Sequence, residues 1–120
     1  MRKITSGFKT MKVPLFECGE VVFCQSWREW ERLHDRLGID GGTQGCNGAS
    51  RSLTSQKGTL FIIGVFNGEL STLAHECAHM AFDICNRAGV VAEPGRANET
   101  FCHLLSRLVS FGVSKMKKPE

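Results

Sequence analysis

Residues 70–82 read LSTLAHECAHMAF and place Glu76 between His75 and His79. On a helix, positions i and i+4 lie one above the other on one face. Both imidazoles then point the same way and can hold one Zn²⁺ at roughly 2.0–2.1 Å. Glu76 sits one position on, about 100° round the helix, where it can stand beside a water on the metal without competing for the metal. The chemistry this suggests is metal-assisted hydrolysis with Glu76 as general base. The blander reading is a core helix whose histidines hydrogen-bond locally, but two aligned histidines buried without a metal would need two separate sets of partners. With four histidines in 120 residues, the motif is expected by chance on the order of 0.01 times.

A zinc site needs a further hard or borderline ligand, and the candidate is downstream. Residues 97–108 read ANETFCHLLSRL, opening a helix with Glu99. Residues 80–98 are enough for the rest of one helix, a reversal at Gly89–Gly95 and an antiparallel return. Here the chain resembles the gluzincin metallopeptidases, whose thermolysin-like members carry HExxH, the same intervening length, then Asn-Glu on a second helix. The matching residues are HECAH at 75–79 and Asn98-Glu99. The wider stretch, about residues 65–110, also resembles a family of small metallopeptidase-like proteins of bacteriophage genomes. The resemblance implies a minimal zincin-like domain in which His75, His79 and Glu99 are zinc ligands, Glu76 is the base and Asn98 supports the ligands. It also implies a peptide substrate lying extended along the sheet edge above the active helix.

Two departures from the thermolysin-like pattern matter. Four residues after the ligand glutamate those enzymes carry an aspartate that orients a ligating histidine, and here that place is His103. Asp83, one turn beyond His79, could take over the task or could simply face solvent. The chain also has no tyrosine to help hold an oxyanion. His103 is the first candidate for that donor, ahead of Arg96, Arg107 and His34, or it is a fourth ligand that would close the site. Cys77 is turned about 160° from His79 by helical phase and is expected in the core. Cys102, three residues past Glu99, could approach the metal, with core packing as the plainer expectation.

The elements that must position these residues read as an α+β domain, with a small, mostly antiparallel sheet packed on about three helices. One domain over 1–120 is expected from the length, with 1–12 and 114–120 as loose tails. VPLFECGEVVFCQS (13–26) reads as one bent strand or a short hairpin. SWREWERLHDRLG (26–38) reads as an amphipathic helix, with Ser26 and Glu29 as a capping box, Gly38 as its stop, and His34 in a packing or surface role. Residues 38–50 are a Gly-rich loop that could serve as a lid. RSLTS and GTLFIIGVF read as two strands joined at Gln56–Gly58, the second well covered. Helices are expected over 70–88, capped by Ser71 or Thr72 and ended by Gly89, and over 97–113.

Composition narrows the function classes. Hydrophobic residues are 42% and charged residues 22%, an ordinary globular balance. The net charge of +3 is partly terminal and lacks the dense basic stripe of a nucleic-acid groove, so a nucleic-acid partner is not expected. No run is long enough to span a bilayer, and the start has no apolar signal region. The six cysteines contain no CxxC pair and read as reduced thiols of a cytoplasmic protein. The expected function is zinc-dependent hydrolysis of a protein or peptide substrate. The alternative is a catalytically silent zinc protein that acts by binding a partner.

Overall fold

The computed structural model describes residues 4–42, 44–93 and 98–116. In chain order it has β1 (Lys9–Lys12), β2 (Glu20–Cys24), α1 (Trp27–Leu37), β3 (Gly48–Ser55), β4 (Gly58–Val65), α2 (Leu70–Ala88) and α3 (Glu99–Lys115). The strands form one sheet in the order β1-β2-β4-β3. β2 pairs in parallel with β4, while β1–β2 and β3–β4 are antiparallel. The fold is α+β, with three helices on a mostly antiparallel sheet.

The two central strands explain the layering. Successive side chains of a strand point to opposite faces, and both β2 and β4 are apolar on both faces. Val21, Phe23, Phe61, Ile63 and Val65 turn to one side, where they pack with Leu73, Cys77, Met80 and Ile84 of α2 and Leu104 and Leu108 of α3. Val22, Cys24 and Ile62 turn to the other side and meet Trp30 and Leu33 of α1. The sheet is therefore sandwiched, with α1 on one face and the α2–α3 layer on the other.

Helix α1 follows its expected pattern. Ser26 Oγ accepts from the Glu29 backbone N–H at 3.1 Å, and Glu29 reaches back to accept from the Gln25 N–H. Its C-cap is Gly38 in the left-handed region. Helix α2 departs from expectation at its front. Its N-cap is Glu69, without a side-chain cap bond, rather than Ser71 or Thr72. It ends as expected at Gly89, whose φ of 74° is costly for a residue with a Cβ.

Three boundaries are corrected. Residues 9–12 are a paired strand, not part of a loose arm, and Arg36 binds the carbonyls of Ile4 and Ser6. Residues 1–3 lie outside the described residues. At the other end α3 continues through Lys115 rather than stopping at 113, and 117–120 lie outside the described residues. Strand β3 begins at Gly48, inside the expected loop. Part of what remains is fastened to the α1 side, where Trp30 Nε1 donates to the Gly41 carbonyl at 2.8 Å and Arg51 donates to the Asp40 carbonyl.

Candidate metal centre

Helix α2 carries the motif with its phase set by the core. Leu73, Cys77, Met80 and Ile84 are buried against the sheet, which turns His75 and His79 outward and leaves Glu76 at the margin beside β3. Glu76 is only 7% exposed, whereas both histidines are exposed. Gly48 makes this approach possible, because a Cβ there would lie 2.6 Å from Thr72 Cγ2, 2.8 Å from the Gly64 carbonyl and 3.2 Å from Glu76 Cγ. The missing side chain at the start of β3 lets the helix bring Glu76 against the strand.

The result is an open cleft of about 480 Å³ lined by Ala49–Ser52 on one side and by His75, Glu76, His79, Met80 and Asp83 on the other. β3 is an outer strand of the sheet, so its unpaired edge is available to this space. The two imidazoles meet at Nε2–Nε2 3.2 Å, with ring planes at 78°. Two nitrogens bound at about 2.0–2.1 Å in tetrahedral geometry stand about 3.3 Å apart. The pair thus fits two corners of a zinc site; without a metal, the same distance suits one shared proton.

The rest of the expected ligand set is elsewhere. Glu99 Oε2 and His103 Nε2 lie 3.3 Å apart, and their side chains are 82% and 80% exposed. They face solvent because Leu104, Leu108 and Phe111 fix the inward side of α3. Among the described residues no group of three His, Cys, Asp or Glu side chains is arranged to hold a metal ion, so Glu99 does not join the histidines in this conformation. His103 is exposed and meets Glu99, and it completes no such group with the pair. Asn98 precedes α3 without a side-chain bond to the helix. Arg107 is exposed, and Arg96 lies outside the described residues.

Asp83 lines the cleft, but its carboxylate is taken by Arg87 Nε at 3.1 Å, so the structure does not show it orienting His79. Arg87 goes on to donate to Thr54 and Ser52 of β3. Sequence reasoning missed this link, although the i, i+4 spacing of Asp83 and Arg87 was a readable signal for its first half. Cys77 is buried as expected, and burial, helped by the neighbouring Glu76, pushes its thiol up to about 12. Cys102 is exposed, contrary to the packing expectation. Cys18 and Cys24 are both free thiols.

His34 belongs to the opposite face. It is 1% exposed, and its Nδ1 lies 2.7 Å from the Trp30 carbonyl. A carbonyl only accepts, so Nδ1 carries the proton. Its Nε2 is buried with no hydrogen-bond partner, and desolvation lowers the ring's pKa. His34 is a packing residue.

Compared with known proteins, the chain matches no family model, no curated protein and no solved structure. No helix among the described residues is long and apolar enough to cross a membrane.

Proposed function

We propose that the chain is a zinc-dependent peptidase of the gluzincin type, hydrolysing a protein or peptide substrate in the cytoplasm, in keeping with its resemblance to the phage proteins. The observation that carries this reading is the 3.2 Å approach of the His75 and His79 Nε2 atoms beside a nearly buried glutamate and a free strand edge. His75 and His79 would hold the metal, and Glu99, the third ligand that the resemblance implies, would join them only with a shift of α3. Zinc held there would supply Lewis-acid polarisation of a carbonyl and a lowered pKa for water.

The chain's own groups account for the remaining work. An extended peptide can pair its main chain with the unpaired edge of β3 along Ala49–Ser52, which gives affinity with little demand on side-chain identity. That pairing would carry a carbonyl past the histidines. Glu76, restrained by the helix and by Gly48, accepts a proton from the attacking water on its carboxylate and delivers it to the departing amine.

The exposed Glu99–His103 pair favours a second reading, in which the two histidines bind metal without turnover and the chain acts by docking on a partner protein. Incubation of the zinc-loaded chain with denatured casein separates the two. The peptidase reading expects cleavage that a chelator abolishes and added zinc restores. Zinc bound with casein left intact would favour the second reading.

A further inference from the structure

Strand β3 forms one long wall of the cleft, yet none of its residues is fully buried, and only Ala49 and Leu53 pack against a core, the one on the α1 side. Its residues are half-buried or exposed throughout. An outer strand with so few apolar contacts is drawn from the low-stability end of a fold, so its position over α2 has to be fixed by something else. Backbone pairing with β4 holds its inner edge. Near its start, Gly48 is packed against Thr72 and Glu76 of α2.

Toward its far end stands Arg87. The guanidinium donates from Nη2 to Ser52 Oγ at 2.7 Å and from Nη1 to Thr54 Oγ1 at 2.9 Å. Its Nε donates to Asp83 Oδ1 at 3.1 Å, and the group lies 6.0 Å from the Phe61 ring centroid. Ser52 and Thr54 are two positions apart, hence on one face of the strand and roughly 6.5 Å from each other. A planar fork with divergent N–H groups can bridge both while its Nε meets a carboxylate; a lysine ammonium has no such reach.

We infer that Arg87 is a positioning residue that braces β3 to α2 and sets the width of the cleft in front of His75, Glu76 and His79. Asp83 aims the guanidinium. This assigns Asp83 to the strand, through Arg87, rather than to His79. The inference rests on the peptidase reading for what the cleft does, but the brace itself is independent of any metal.

Hydrogen–deuterium exchange of the intact chain tests it directly, read on a peptide covering 48–55. Arg87→Ala should speed exchange there about tenfold, while a peptide covering 20–37 stays as in wild type. Arg87→Lys should not restore protection. The Ser52→Ala/Thr54→Val variant should match Arg87→Ala, and combining all three substitutions should add nothing, since the groups act as one unit. An increase of less than about threefold in Arg87→Ala, or additive effects in the combined variant, would overturn the inference. With casein as probe, Arg87→Ala should raise KM more than it lowers kcat, and a fall in kcat at unchanged KM would count against the brace. Casein left uncut by the wild-type chain would count against the peptidase reading alone, and the exchange result would still decide the brace.

Discussion

The two faces of the sheet each present a histidine-bearing helix, and they treat the imidazole in opposite ways. On the α1 face, His34 is sealed under Trp30 and Gly41, satisfies its Nδ1 on its own helix and leaves a buried Nε2 unpartnered. On the α2 face, His75 and His79 stand in the open with their Nε2 atoms facing each other across 3.2 Å. The residue type is the same and so is the helical setting. What differs is whether the apolar stripe of the helix includes the histidine or turns it away. Leu33 and Trp30 draw His34 into the core, whereas Leu73, Cys77 and Met80 hold their side of α2 down and leave the pair exposed. Helical phase against the sheet separates a packing histidine from one available to a ligand.

Breaking the α2 side should have the largest effect. Glu76→Gln keeps the shape of the side chain and removes its basicity. Turnover should fall by about 10²–10⁴-fold with zinc content unchanged, as measured by casein cleavage alongside metal analysis. The next effect is structural. Gly48→Ala places a methyl against the Gly64 carbonyl and Thr72, and overpacking of this kind costs about 1–3 kcal/mol. Denaturant unfolding should show that loss, together with weaker zinc binding as α2 is pushed off β3.

The α1 side answers with smaller changes. Ser26→Ala removes the cap acceptor for Glu29 and should cost about 1 kcal/mol in unfolding experiments, without altering zinc affinity. His34 gives a pH signature. Burial lowers its pKa below the ordinary 6.5, so the unfolded chain takes up the proton more readily than the folded one. Stability from this group is complete above about 6.5 and is lost as pH falls through that value toward the folded pKa. His34→Phe should flatten this acid limb in a pH series of melting temperatures, leaving the zinc site intact.

Much of this arrangement is legible in the amino-acid sequence. The capping box at Ser26, the stop at Gly89 and the alternation-free apolar run of β4 each have a local cause, and each appears where expected. Strand β1 was missed because Lys9–Lys12 is an outer strand with no apolar alternation to announce it. The order of strands, and hence the free edge of β3 beside His79, depends on long-range pairing that no local pattern encodes. Within the site, the histidine pair was readable because i and i+4 fix its geometry within one helix. The placement of Glu99 was not, since it depends on how α3 packs on α2. One clue was available: Leu108 lies nine positions from Glu99, two and a half turns away, and so on the opposite face of the helix.

The proposed function stands or falls on whether His75 and His79 hold one zinc ion at the cleft. Crystals grown with zinc, with anomalous diffraction recorded at the zinc edge, address it directly. One peak per chain is expected, within about 2.0–2.1 Å of both Nε2 atoms. A zinc peak bound away from these rings, or full zinc occupancy retained in His75→Ala/His79→Ala, would contradict it.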